Sequence, residues 1–211
     1  MKFPIVIPQL FYDLIARILP GFFFLALVQL SLPELTRYLY PHVITGRDSF
    51  VNSLGLVVGY AVICYFLGQL FLAFIWGSKE EEICEKHGGS KSINEKYQRI
   101  RLSHPAAGFR IIKLRAEARM LETTRTSMPA IIVLDIVYLC IMIILAISES
   151  YSIDKVFWVR PLIGVLISTV SFYGFCRRER KAWKNYYGNI NIIYDILHDY
   201  VDPVKPFPDN T

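Results

Sequence analysis

The chain has 211 residues, of which 54% are hydrophobic and 19% charged, and its formal net charge is +5. Its four cysteines lack the spacing of a disulfide framework or a zinc site, and the sequence contains no glycine-rich phosphate loop or nucleophile elbow. These features exclude a disulfide-stapled domain. We expect no enzymatic activity, no metal and no cofactor.

Four long apolar stretches predict four membrane-spanning helices. A helix needs about 20 mostly apolar residues to cross about 30 Å of hydrocarbon, where it satisfies its own backbone polar groups. The stretches are residues 10–32, 54–76, 129–147 and 156–176. We therefore predict an all-α integral membrane protein with helical extensions outside the bilayer.

The start of the first span contains two charged residues. The uninterrupted apolar run of residues 18–32 is too short to cross, so the helix is predicted to begin near Leu10. It then carries Asp13 and Arg17, which are one turn apart and able to pair, into the inner interface. A cleaved signal peptide beginning at Lys2 is the alternative, but no small-residue cleavage site follows its apolar core.

The distribution of Lys and Arg predicts the orientation of the spans. Residues 33–53 hold only two basic residues, whereas residues 77–128 hold eleven and residues 177–211 hold six. Cytoplasmic segments retain positive charge, so both termini and the central segment are predicted to face the cytoplasm of a cell inner membrane. Anionic lipid headgroups account for this charge without any nucleic acid.

The chain thus divides into four predicted parts. Two parts are pairs of spans, residues 1–77 with a short external loop and residues 129–176. The other two are cytoplasmic: a basic helical loop at residues 78–128, and residues 177–211 with a basic helix, a short amphipathic helix and a proline-containing tail.

Within the cytoplasmic parts, glycine and proline predict where helices end. Gly88 and Gly89 are expected to stop the first helix of the loop, Pro129 to re-aim the chain into the third span, and Gly188 to interrupt the helix after the last span. The helices of the loop and tail have apolar faces, and such small segments bury little core. A neighbouring subunit is expected to cover these faces, in a homo-oligomer, with the membrane surface as the alternative.

Gly55 and Gly59 have the small-xxx-small spacing that lets membrane helices approach closely. Two interpretations are open for these glycines: they pack between spans of one chain, or they pack between subunits.

Three polar residues fall inside the predicted spans. An Asp at the middle of a membrane helix costs about 3 kcal/mol on insertion scales. Counted along the helices, Arg17 and Gln69 lie at a depth similar to that of Asp135. We predict that the three form one polar layer in the inner leaflet. Structural contact between spans, a gate on a conduction path, and a proton-coupled transport site are the alternatives for its role.

Basic residues in the cytoplasmic parts have two interpretations. Arg110, Lys113, Arg115 and Arg119 either form a solvated helix face or bind an anionic ligand such as a nucleotide or oligonucleotide. Lipid headgroup contacts are predicted for tryptophans and arginines near the ends of the spans, namely Trp76, Trp158, Arg177, Arg178 and Trp183.

One spacing resembles a catalytic motif. His104 follows Arg99 at the arginine-four-residues-histidine spacing of the ribonuclease motif in HEPN domains. Chance alone gives about 0.7 such matches in a chain of this composition, and Pro105 adjoins the histidine. A membrane-tethered ribonuclease is therefore the third hypothesis for function.

The layout of the spans, with the helix of residues 10–21 and the stretch of residues 109–120 after a basic hairpin, resembles the small polytopic effectors of bacterial anti-phage defence systems. The resemblance is one of architecture and implies an oligomer that permeabilises the inner membrane when a cytoplasmic signal arrives. A channel or pore-forming effector is our first hypothesis. The second is a membrane scaffold that anchors a soluble partner through the helix of residues 190–201 and the tail.

Overall fold

The computed structural model describes residues 6–32, 50–75, 79–147 and 155–200. In these ranges all regular structure is helical, which confirms the all-α prediction for this part of the chain. The helices are α1 (Val6–Ser31), α2 (Phe50–Ala73), α3 (Glu80–Lys86), α4 (Gly89–Ser103), α5 (Pro105–Ile147) and α6 (Lys155–Tyr200).

Three of these helices contain segments that are long and apolar enough to cross a membrane. The segments are Phe11–Ser31 in α1, Pro105–Ile144 in α5 and Trp158–Leu197 in α6. Helix α2 contributes a shorter apolar segment, Val57–Ala73. The predicted first, third and fourth spans thus fall on helices that meet the requirement.

Helix α5 continues through Pro129, so the third span and the helix before it form one element. Proline lacks the backbone N–H that would bond to the carbonyl of Arg125. In the turns before it, hydroxyls donate to carbonyls of their own helix, including Thr124 to Met120 at 2.7 Å and Thr126 to Glu122 at 3.0 Å. Met128 and Ile131, on either side of Pro129, are completely buried, and this packing offsets the cost of the proline.

Helix α6 likewise continues through Gly188, where the sequence predicted an interruption. Glycine costs about 1 kcal/mol relative to alanine inside a helix, which the packing of Tyr187 and Ile190 on either side can offset. The basic helix and the amphipathic helix predicted after the last span are therefore one element.

The short helices are separated as the glycines predict. Helix α3 ends before Gly88 and Gly89, whose φ angles of 110° and 80° are in the left-handed region that favours glycine. Helix α4 ends at Ser103, and Pro105 occupies the first position of α5, where its missing N–H has no intrahelical partner to lose.

The chain divides into two compact units. The first comprises Met1–Tyr12, Ser78–Ala118 and Arg180–Thr211, and the second comprises Asp13–Gly77 and Arg119–Glu179. In the first unit the buried core draws on α3, α4, α5 and α6, with Ile83, Ile93, Ile100, Ile111 and Ile190. Its own helices thus cover much of the apolar surface that the sequence assigned to a neighbouring subunit.

The second unit is built on close contacts at glycines. A Cβ atom on Gly21 would collide with the backbone of Cys64, and one on Gly68 would collide with the backbone of Arg17. These two glycines let α1 and α2 pack with their backbones in contact. Beside them, Val28, Leu32, Met128 and Ile131 form a buried cluster with partly buried aromatic residues around it.

Gly55 and Gly59 do not take part in these contacts. No atom lies within 4 Å of a Cβ built on either residue, so they face open space within the described structure. The packing between spans that the sequence left open for them is made by Gly21 and Gly68 instead. Contact with another subunit remains a prediction.

Candidate functional site

Arg17 and Gln69, two members of the predicted polar layer, share a hydrogen-bonded network with Tyr65. Arg17 Nη1 donates to the Tyr65 hydroxyl at 3.0 Å. When the Gln69 amide is turned so that its oxygen faces Arg17, that oxygen accepts from Arg17 Nε at 3.2 Å and from the Tyr65 hydroxyl at 2.9 Å. Asp13, the partner predicted for Arg17, is exposed. Arg17 thus joins α1 to α2.

Asp135, the third member, lies elsewhere in the second unit. Its side chain is completely buried, and a Cβ built on Gly164 would lie 2.5 Å from both its Oδ2 atom and the Cβ of Ser31. The carboxyl group therefore sits where α1, α5 and α6 meet. Ser31, also buried, is the polar side chain beside it.

The predicted single layer is therefore wrong, because the structure separates Asp135 from the other two residues. Ser31 and Arg17 lie on the same helix, fourteen residues apart, which corresponds to about 21 Å. The depth of a residue in the membrane was counted from the predicted end of its own span, separately for each helix. How far one helix is shifted along another depends on contacts between them, such as that of Gly164 with Ser31, and these contacts leave no periodic pattern in the sequence.

A group of buried charged residues was missed by the sequence. Arg125 Nε of α5 lies 3.0 Å from Glu179 Oε2 of α6, with side-chain exposures of 10% and 1%. Arg119 Nη1 lies 2.9 Å from Glu122 Oε2, and Glu122 is completely buried. Residues 121–128 are buried except for the half-buried Thr126. The solvated face that the sequence suggested for Arg119 therefore does not extend to Glu122.

A signal for the pair of Arg119 and Glu122 was nevertheless present. Arg119 and Glu122 have the (i, i+3) spacing of neighbours on a helix surface, and Ser and Thr residues surround them directly before an apolar run. Buried ion pairs of this kind are poor sources of net stability but costly to break, since removing one partner leaves an uncompensated charge.

The four residues proposed to bind an anionic ligand differ in their exposure. Arg110, Lys113 and Arg115 are exposed on α5. Arg119 is half-buried and paired with Glu122, so its charge is already compensated. The exposed three retain the accessibility that a ligand requires.

The residues predicted to contact lipid headgroups also differ in their exposure. Arg177 and Arg178 are exposed, and Trp158 is half-buried. Trp183 is completely buried, which leaves its ring no surface for lipid, so its prediction is wrong. Trp76 lies outside the described residues.

Trp183 belongs instead to an aromatic cluster of the first unit. Tyr187 stacks between Trp183, with ring centroids 5.9 Å apart, and His87, with centroids 6.0 Å apart. Its hydroxyl donates to Glu80 Oε1 at 3.3 Å. Burial raises the pKa of Tyr187, and burial raises that of the adjoining Tyr186 to about 12. The cluster joins α3 to the end of α6.

Arg99 and His104, the residues of the ribonuclease-like spacing, lie at the end of α4. Arg99 Nη1 donates to the Tyr194 hydroxyl at 3.4 Å, and Lys96 Nζ lies 5.4 Å from the centroid of the Tyr194 ring. His104 is exposed directly after the last residue of α4. Both positions are consistent with structural roles on the α4 surface.

Among the described residues, no group of three His, Cys, Asp or Glu side chains could hold a metal ion. No family model, curated protein or solved structure matches the chain.

Proposed function

We propose that this protein is a four-span inner-membrane protein, with both termini in the cytoplasm, that assembles as a homo-oligomeric channel or pore gated from the cytoplasm. In this arrangement α2 is the second span, alongside the spans of α1, α5 and α6. The proposal rests chiefly on one observation. Asp135 is completely buried, whereas the other faces of its helix expose apolar side chains.

Exposed apolar residues support a lipid environment for these helices. Val133, Ile136, Val137 and Ile144 of α5 are exposed around Asp135, and Phe66 of α2 is 66% exposed. In water this surface would favour aggregation, whereas in a bilayer it contacts lipid tails. An ionisable residue on the interior side of such a helix is a functional candidate, because a simple anchor needs none.

The helices that surround Asp135 are also those that carry the cytoplasmic segments. Helices α5 and α6 continue through Pro129 and Gly188. Within the second unit, α5 carries Asp135, α6 carries Gly164, and the buried pair of Arg125 and Glu179 holds the two helices together. A ligand that changed the packing of α5 against α6 in this unit would therefore change the surroundings of Asp135.

The resemblance to anti-phage effectors suggests the signal. An anionic nucleotide or oligonucleotide would bind the exposed Arg110, Lys113 and Arg115 of α5, where guanidinium groups can form bidentate contacts with phosphate. Binding would then bias the gate and dissipate the membrane gradient of the infected cell.

Leakage from liposomes tests the channel directly. Purified protein is reconstituted with an entrapped dye or a potassium gradient, and efflux is compared for the wild type, Asp135→Ala and Thr169→Ala. Thr169 is the matched control because its hydroxyl, on the neighbouring helix, donates to the carbonyl of Val165 in that same helix. We expect Asp135→Ala to change efflux several-fold while particle mass is preserved. Equal efflux from all three proteins at equal particle mass would contradict the proposal.

A scaffold is the second candidate, favoured by exposed apolar residues near the end of α6. Ile192 and Ile196, one turn apart, are 59% and 53% exposed. The double variant Ile192→Ser and Ile196→Ser would lose a soluble partner in pull-down assays if the protein is a scaffold. A channel would retain its leakage in this variant.

A further inference from the structure

The carboxyl group of Asp135 has fewer hydrogen bonds than buried polar groups ordinarily have. Within the described part of the chain, neither carboxyl oxygen of Asp135 has a hydrogen-bond partner, although the side chain is completely buried. Buried polar groups are almost always paired, so an exception calls for an explanation. A carboxylate in this position would also carry a full charge in an apolar interior, which is costly without a partner.

No described cation lies in position to neutralise Asp135. The titratable residues on the three helices that meet there are distributed as follows. Helix α1 has none between Arg17 and its end. From residue 125 onward α5 has, besides Asp135, only Arg125, Tyr138 and Cys140, and between residues 156 and 176 α6 has only Arg160, Tyr173 and Cys176. Arg125 is paired with Glu179, and Arg160 is exposed. The charge of a carboxylate would thus remain uncompensated.

The hydrogen bonds of Ser31 determine whether the ionised or the protonated form of Asp135 can bond to it. Ser31 Oγ donates its single hydrogen to the carbonyl of Leu27, at 2.9 Å. While this bond is made, Ser31 has no hydrogen for a carboxylate but retains lone pairs that can accept one from a protonated Asp135. An ionised Asp135 has only acceptors to offer, whereas a protonated one has an O–H group that can donate to Ser31.

Two further features enclose this position. Gly164 allows α6 to approach so closely that any side chain there would displace Asp135 and Ser31. Ser168, one turn later on the same face of α6, has a buried hydroxyl that also has no partner among the described residues. The helices thus provide a closed, polar but uncharged site around one carboxyl group.

We propose that Asp135, with Ser31 as its hydrogen-bond acceptor, is a proton-binding site in the interior of the helix bundle. The bound proton converts the carboxylate into a neutral acid whose O–H donates to Ser31 Oγ, and this continues as the bond from Ser31 to Leu27. Release of the proton leaves a charge without a partner where three helices meet. The site goes beyond the proposed channel, because it binds its proton whether or not the protein conducts ions.

Infrared spectroscopy tests the site on the full-length protein in lipid nanodiscs at neutral pH. The protein is produced with isotope-labelled aspartate, so that a neutral aspartic acid gives a C=O stretching band that moves with the label. We expect this band in the wild type. It should disappear in Asp135→Asn and persist in Asp195→Asn, a matched control at an exposed position on α6.

The acceptor is tested separately. Ser31→Ala should keep the band but shift it to higher frequency, since the acid loses its acceptor. A wild-type spectrum in which all labelled aspartate absorbs as carboxylate would overturn the proposal, even if no variant folds. So would a band that is lost on adding sodium chloride but kept in choline chloride, because the site would then hold a metal ion. Absence of dye leakage would bear on the channel alone.

Discussion

Arg125 and Glu179 form a buried ion pair, with Arg125 Nε 3.0 Å from Glu179 Oε2. Arg125 lies four residues before Pro129 on α5, and Glu179 directly follows the basic Arg177 and Arg178 on α6. The pair therefore joins the two longest described helices.

Breaking this pair should strongly destabilise the protein. Glu179→Ala leaves the guanidinium of Arg125 buried without its carboxylate, and the expected loss is about 3–5 kcal/mol. Replacing both residues with apolar ones, Arg125→Met and Glu179→Leu, should recover most of that loss. The measurement is the unfolding transition in detergent. Lys86→Ala, which removes an exposed pair with Glu82, is the control and should change stability very little.

The Tyr65 hydroxyl should stabilise the contact between α1 and α2. Tyr65→Phe removes the group that bonds to both Arg17 and Gln69, with an expected cost of about 1 kcal/mol. The same substitution at Tyr173, which is 68% exposed on α6, is the matched control. Equal shifts of the unfolding midpoint in both variants would show that the network adds no stability.

Substitutions at glycine should separate packing within the chain from assembly of subunits. Gly21→Leu should prevent normal folding, because its side chain would occupy the position of the Cys64 carbonyl. The double variant Gly55→Leu and Gly59→Leu should fold, since both residues face open space. If these glycines contact another subunit, light scattering will find the double variant closer to the monomer mass of 24.4 kDa than the wild type. An unchanged mass would indicate that these two glycines face lipid rather than another subunit.

The aromatic cluster predicts loss of stability at alkaline pH. Burial raises the pKa of Tyr186 from 10.0 to about 12, so the unfolded chain releases this proton first. Stability from this group is complete below pH 10 and is lost as the pH rises toward 12, up to about 3 kcal/mol. The difference in unfolding free energy between the wild type and Tyr186→Phe, measured across this range, isolates the effect from lysine titration. A difference that does not change with pH would contradict it.

Composition and periodicity were sufficient to predict the helical class and the apolar segments of α1, α5 and α6, because those features depend on local sequence. They also predicted the end of α3 at Gly88 and Gly89, where the backbone adopts positive φ angles. Helix continuity through Pro129 and Gly188 was not predicted. In both places contacts made by neighbouring turns outweigh a residue that disfavours helix on its own.

The candidate site was predicted only in part. Asp135 was identified because a carboxylate in an apolar helix is expensive wherever the helix lies. Its separation from Arg17 depends on how far one helix slides along another, and the contacts at Gly21, Gly68 and Gly164 that fix this have no periodic signature. The pair of Arg125 and Glu179 was missed because its members are 54 positions apart in the chain.

The glycine contacts of the second unit have a consequence for any passage through it. At Gly21 and Gly68 the backbones of α1 and α2 lie so close that not even a methyl group fits between them. Neither water nor a lipid tail can therefore enter between these two helices at those positions, and a route for ions along that seam would first require the backbones to separate.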